Sequence, residues 1–257
     1  MIKIVFIDFD ETLFSHSANC IPDSAICALN TIRNKGIKVF LCTGRAMCEM
    51  DCFDTSKVHF DGMIANNGQL IYDEQGKVIY SSPFSGRLKE IIVDNFNKKR
   101  IPMLLASDDY IFANFLNYKM IKIQQSFDSP MPIIKDYEGE NIYLCSALKD
   151  ETTNWDEIPE LSEIANITYW HDCAIDISSI TTSKATGIQK VLDYYNISLE
   201  DTMAIGDGNN DIEMLEYCHT SIAMGNSEQD VKEAANYITT DINNDGIYNA
   251  FKHYGLI

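Results

Sequence analysis

Ile4-Val5-Phe6-Ile7-Asp8-Phe9-Asp10-Glu11-Thr12 is the stretch that decides how this chain folds. Its first four residues are β-branched or aromatic and have no polar face. That is the signature of a short strand buried on both sides, as in a parallel sheet. In an open parallel α/β sheet, ligands bind beyond the carboxyl ends of the strands. Two carboxylates one residue apart at such an end, Asp8 and Asp10, do little for stability. They share parity along the strand, so they can project toward a common point. The plain reading is a polar strand end that runs into a turn. Three more polar clusters at similar strand ends argue against it.

Working outward, the pattern turns helical from Pro22. Asp23 or Ser24 is placed to cap the helix, Ile26, Leu29 and Ile32 mark one face, and Gly36 stops it. Ile37 to Leu41 reads as a second buried strand, giving a β-α-β opening with a parallel pair. That strand ends in Cys42-Thr43-Gly44-Arg45. A short helix follows, then a strand over 62–65 ending in Asn66-Asn67-Gly68, and a hairpin from residues 69–72 and 77–80 around Asp73-Glu74-Gln75-Gly76. Ser82-Pro83 breaks the pattern. Residues 83–180 then read as an α+β module: a helical face at Leu88, Ile91, Ile92 and Phe96, short strands over 103–106 and 110–113, a helix near 116–124, a strand over 142–147, a helix over 158–164, and a closing strand pair at 167–171 and 174–177. From Ser183 the β/α alternation resumes. Lys184 precedes a helix, and the strand 202–205 ends in Gly206-Asp207-Gly208-Asn209-Asn210-Asp211.

Composition sets outer bounds. The chain has 257 residues and a net charge of −18, which disfavours nucleic acid or an anionic membrane surface as a partner. No stretch approaches the roughly 20 apolar residues of a membrane span. The opening residues lack the length and cleavage site of a signal peptide. The eight cysteines form no Cys-x-x-Cys pair, and Cys27, Cys42 and Cys145 read as small core residues. A reducing cytoplasm is the expected location. The five histidines show no metal-ligand spacing.

Taken singly, the polar clusters are weak. Gly-Asp-Gly is a common turn, Thr-Gly-Arg says almost nothing, Lys184 alone is a surface lysine, and Asp207 could cap the next helix. As an ordered set at strand-to-helix junctions they imply chemistry. Carboxylates converging on one point repel unless a cation joins them, and hard oxygen donors favour Mg²⁺. A hydroxyl, backbone N–H groups and a lysine suit phosphate oxygens. A carboxylate can serve as a nucleophile that accepts a phosphoryl group, and a second one can act as acid and then base.

In that order the clusters resemble the four motifs of the haloacid dehalogenase superfamily of phosphatases: Asp8-Phe9-Asp10-Glu11-Thr12-Leu13, then Thr43-Gly44-Arg45, then Lys184 in Ser183-Lys184-Ala185-Thr186-Gly187, then Gly206 to Asp211. Ala223-Met224-Gly225-Asn226, Val231-Lys232 and Asp245-Gly246 resemble the Cof-like branch. The resemblance implies a Rossmann-like α/β core, residues 1–82 and 181–257, with an inserted α/β cap, residues 83–180. The stretch between Leu13 and Thr43 is too short for a cap, so the insertion falls between the second and third motifs. It further implies a Mg²⁺-dependent phosphomonoester hydrolase with an aspartyl-phosphate intermediate, acting on sugar phosphates or other small phosphorylated metabolites. Asp8 would be nucleophile and metal ligand. Asp10 would be acid/base and ligate through its carbonyl. Asp207 would complete the metal site. Thr43, Gly44, Lys184 and Asn210 would hold substrate, with Arg45 and Asp211 in support. Glu11 departs from the branch, where glycine is more usual. A phosphomutase or phosphotransferase on the same site, and a non-catalytic phosphosugar-binding regulator, are the alternatives. Within the cap, Tyr169, Trp170, His171 and Asp172 are candidates to meet a sugar, although Tyr169 and Trp170 could equally be cap core.

Overall fold

A computed structural model describes residues 1–126, 129–148, 161, 163–171 and 173–257, with the side chains of residues 170 and 171 outside the description. Most of the helix expected over 158–164 therefore lies outside the described residues, as do Asp172 and the side chains of Trp170 and His171. The chain divides into two compact units. The first comprises Met1–Gly44, Phe53–Tyr80 and Ser183–Ile257, and the second Arg45–Cys52 and Ser81–Thr182.

The first unit is built on β1 (Ile4–Ile7), α1 (Asp23–Asn34), β2 (Lys38–Cys42), β3 (Gly62–Ala65), β4 (Leu70–Asp73), β5 (Val78–Ser81), α4 (Lys184–Tyr195), β12 (Thr202–Gly206), α5 (Ile212–Tyr217), β13 (Thr220–Ala223), α6 (Gln229–Ala234), β14 (Tyr237–Ile238) and α7 (Gly246–His253). Its sheet has the order β14-β13-β12-β1-β2-β3-β4-β5. The strands from β14 to β3 pair in parallel, and β4 turns back antiparallel on β3. β1 is central and every one of its residues is buried, as its all-apolar sequence requires. One core cluster joins Ile4, Phe6, Phe40 and Ala204 to Ile188, Val191 and Leu192 of α4 and to Met214 of α5. This is an α/β fold with helices laid on a mostly parallel sheet.

Local departures from the sequence reading have local causes. Neither Asp23 nor Ser24 caps α1. The cap position is Pro22, and no side chain bonds to the helix start. The helix ends as expected before Gly36, which takes φ +83°, a left-handed turn that suits a residue without Cβ. Cys42 and Cys145 are buried, but Cys27 is exposed because it falls on the outer side of α1. Lys184 is the first residue of its helix rather than preceding it; Ser183 caps the helix, with its Oγ accepting from the Thr186 N–H.

The second unit contains α2 (Gly86–Lys98), β6 (Met103–Ala106), β7 (Ile111–Ala113), α3 (Tyr118–Ser126), β8 (Ile133–Ile134), β9 (Leu144–Leu148), β10 (Ala165–His171) and β11 (Ala174–Ser179). Its sheet runs β10-β11-β9-β6-β7-β8. α2 presents Leu88, Ile91, Ile92 and Phe96 at helical spacing to Met103, Leu105, Cys145 and Ile177. Each such side chain contributes about 1.5–3 kcal/mol on burial. Asn114 is the polar residue that this core is built around. Its Oδ1 accepts from the N–H groups of Met103 and Phe115, and its Nδ2 donates to the carbonyls of Phe96 and Ile101. Tyr169 is 67% exposed and so is not part of the core.

Candidate active site

The register of the first sheet puts four polar strand ends side by side. Ile7 pairs with Ile205 on one side and Leu41 on the other, and Cys42 pairs with Ile64. The residues just past these strands are Asp8, Asp207, Thr43 and Asn66. The N-terminus of α4 brings Lys184 to the same place.

Lys184 and Asp211 are buried completely and Asp8 nearly so. Lys184 Nζ lies 2.5 Å from Asp8 Oδ1 and 2.6 Å from Asp211 Oδ1. Burial pulls the ammonium toward neutrality, but the two carboxylates outweigh it and hold its pKa above the ordinary lysine value. Asp211 is fully engaged: its Oδ2 accepts from the N–H groups of Asp207 and Gly208 at 3.0 and 2.9 Å. Gly206 makes this approach feasible, since a Cβ there would sit 2.6 Å from the Asp211 carboxyl. Asp8 accepts only from Lys184 among the described residues, through Oδ1. Burial and the nearby carboxylates, Asp211 first, raise its pKa well above the usual range. Asp207 takes the hydroxyl of Thr12 on Oδ1 at 2.5 Å and the amide of Asn226 on Oδ2 at 3.4 Å. Burial, then the charge of Asp211, pushes Asp207 up to about 7.

Asp8, Asp207 and Asp211 each offer a carboxylate oxygen within 4.8 Å of the others. Three carboxylates against one ammonium leave two negative charges in a buried space. The donors are all hard oxygens, and the upward shift of Asp207 shows that the site resists that charge. This donor set suits a small divalent cation. Asp211 therefore stands inside the carboxylate cluster.

The other expected residues are placed as follows. Asp10 is half-exposed past the strand end, and its Oδ1 lies 2.7 Å from His16 Nε2. Its carboxylate is not among the three clustered ones. Thr43 is fully buried, and its N–H continues the sheet by donating to the Ile64 carbonyl. Gly44 abuts the amide of Asn67, where a Cβ would sit 3.2 Å from Oδ1. Asn210 Nδ2 donates to the same Asn67 Oδ1 at 3.2 Å. Arg45 belongs to the second unit, where it donates to Ser129 Oγ. Glu11 adopts φ +56°, the left-handed region, which gives a backbone reason for glycine to be usual there.

Four contributors went without a role in the sequence reading: Thr12, His16, Asn67 and Asn226. Thr12 and Asn226 lie within motifs whose spacing was visible, so their polarity beside Asp207 was a usable signal. Asn226 Nδ2 also donates to the Glu11 carbonyl, and its Oδ1 accepts from the Ile242 N–H. A lone histidine gave none.

Residues 5–251 match the model of the haloacid dehalogenase-like hydrolases. The chain belongs to that family. A Bacillus subtilis (strain 168) protein provisionally named a phosphatase is 29% identical over 261 residues, covering 99% of this chain and 98% of that one. A phosphatase of the superfamily from Bacteroides thetaiotaomicron superposes with a TM-score of 0.88 at 30% identity, covering 100% of this chain and 96% of that one. A subclass IIB sugar phosphatase matches at TM-score 0.86 and 30% identity, over 99% of this chain and all of that one. These relatives place the chain among the phosphatases of the family. No helix of the described residues is long and apolar enough to cross a membrane.

Proposed function

We propose that this protein is a Mg²⁺-dependent phosphomonoester hydrolase acting through an aspartyl-phosphate on Asp8, with sugar phosphates or similarly small phosphorylated metabolites as substrates. The observation that supports this most is the state of Asp8. It is a buried carboxylate at a strand end, with one oxygen held by Lys184 and the other without a hydrogen bond among the described residues. An oriented, poorly solvated carboxylate oxygen is what a phosphoryl acceptor needs.

In this reading Asp8 Oδ2 forms a bond to phosphorus while the bond to the leaving oxygen breaks, and Asp10 gives that oxygen a proton. Asp10 then takes a proton from water, which attacks the phosphorus, frees Asp8 and releases inorganic phosphate. Lys184 fixes Asp8 and offsets charge. We assign the Thr43 hydroxyl and the Gly44 N–H to the phosphoryl oxygens, with Asn210 beside them. Asp8, Asp207 and the carbonyl of Asp10 would hold Mg²⁺, which when bound supplies the positive charge that lets an anionic ester approach an anionic nucleophile.

Selection among esters we assign to residues 83–180, because phosphate-holding groups alone accept any phosphomonoester. Exchanging that segment for another relative's should change the order of preferred substrates; an unchanged order would move selection to the core. The reaction itself is tested by release of inorganic phosphate from 4-nitrophenyl phosphate and from a panel of hexose and pentose phosphates, with and without Mg²⁺. Steady turnover dependent on the ion supports the reading. Absence of release from every ester would overturn it.

A further inference from the structure

We propose that His16 is a positioning residue for Asp10, holding the carboxyl in the orientation from which it exchanges protons with the leaving group and with water. The inference rests on the reading of Asp10 as acid/base.

The loop after β1 folds tightly on itself. The N–H groups of Leu13 and Phe14 both donate to the Phe9 carbonyl, and the Glu11 N–H donates to the Phe14 carbonyl. This return brings His16 back beside Asp10, with Nε2 2.7 Å from Oδ1. An ionised carboxylate can only accept, so Nε2 carries the proton whenever Asp10 acts as a base. The Asp10 side chain is 36% exposed and rotates about two bonds. A donor at 2.7 Å restricts that rotation. Acid/base transfer depends on the carboxyl staying within hydrogen-bond reach of the reacting oxygen.

The imidazole is itself held. Its backbone N–H donates to Glu11 Oε1 at 3.1 Å. Its ring packs edge-on against Phe14 at 5.4 Å and Phe53 at 6.3 Å between centroids. Those two rings pack on each other and on Phe9, all three buried. An aromatic cluster of this kind gives the ring little room to turn. A histidine serving only as filler would have no need to aim a nitrogen at the second aspartate of the motif.

The test separates positioning from packing by the leaving group. A 4-nitrophenolate leaves without much help, whereas a sugar alkoxide needs its proton. His16→Phe keeps the ring and loses the donor. It should lower kcat on a hexose 6-phosphate by roughly 10-fold while changing the 4-nitrophenyl phosphate rate by less than about 2-fold, with KM steady for both. His16→Gln, which restores an N–H at similar reach, should recover most of the loss. Equal losses on both esters, no loss on either, or failure of glutamine to rescue would each overturn the proposal. Should His16→Phe fold poorly by its thermal midpoint, His16→Leu is read in its place by the same criteria. Asp10→Asn, assayed in parallel, tells the two levels apart. If it is severe and His16→Phe is silent, only the role of His16 falls. If Asp10→Asn is itself silent, the acid/base reading falls and the role of His16 with it.

Discussion

The two units bury different things. Among the described residues, the buried charged side chains are Asp8, Asp61, Lys184 and Asp211, all in the first unit; the second buries Ser107, Asn114, Ser178 and Thr182 and no charge. Asn114 shows how a core normally accommodates a polar group: all its hydrogen-bonding capacity facing the backbone is used. Asp61 shows the same for a charge. Although burial works against it, Arg33, Lys38 and the Val39 N–H together hold its carboxyl below the usual range. Asp8 and Asp207 go the other way. They are crowded by like charge and carry raised pKa values, a condition that a fold selected only for stability would remove. Buried carboxylates whose environment opposes their charge mark the site, and those whose environment supports it mark the scaffold.

Asp8→Asn breaks this contrast most strongly. Turnover should fall by roughly 10³-fold or more, the scale of losing a nucleophile. The thermal midpoint of the metal-free protein should not fall, because an amide of the same shape relieves repulsion from Asp211 while Lys184 keeps Asp211 as its partner. Near-normal turnover, or a large loss of stability, would place Asp8 with Asp61 as scaffold.

The next effect is on pH and metal. Asp207 has its pKa raised from the carboxylate range to about 7. A raised acid pKa means that the folded state holds its proton at higher pH than the unfolded state, so stability falls as pH rises between those two values. The thermal midpoint of metal-free protein should therefore decline from about pH 4 toward pH 7. Asp207→Asn should flatten the decline. Mg²⁺ should raise the midpoint most at the alkaline end, where the cluster carries full charge, and chelation should reverse the gain. A midpoint that Mg²⁺ leaves unmoved at pH 8 would count against a cation in this cluster.

Much of the first unit was legible because its strands are short, wholly apolar and each followed by residues of unusual chemistry. Periodicity placed β1, β3 and β12, and the order of their polar ends carried the site. What escaped were relations that depend on backbone shape. The pairing of Asp10 with His16 follows from a loop that doubles back. The place of Asp211 in the cluster follows from a turn that Gly206 permits. In the second unit the apolar face of α2 was visible at helical spacing, but nothing adjacent in sequence tells that Asn114 joins Met103, Phe96 and Ile101.

Asn114→Ala probes that unit alone. It leaves two N–H donors and the Ile101 carbonyl without the partner Asn114 gives them, while the Phe96 carbonyl keeps the Lys99 N–H, which should cost about 2–4 kcal/mol in urea unfolding. The pH slope attributed to Asp207 should be unchanged. A shift in that slope would mean that the two units do not separate energetically as their cores do.

The smallest effect sharpens the comparison at a single residue. Glu11 is strained by its left-handed backbone yet useful through its side chain, with φ +56° set against the bond from the His16 N–H to Oε1. Two substitutions separate these contributions. Glu11→Ala loses the bond and keeps the strain, so it should destabilise by about 0.5–1.5 kcal/mol. Glu11→Gly loses the same bond but relieves the strain, by about 1 kcal/mol against any residue with a Cβ. Glycine should therefore be the more stable of the two variants and fall close to the wild type in denaturant titrations. If alanine matched glycine, the backbone here would be unstrained, and the glycine usual at this position would need another cause. If both matched the wild type, the carboxylate of Glu11 would contribute nothing to holding His16, and the aromatic rings alone would fix the imidazole beside Asp10.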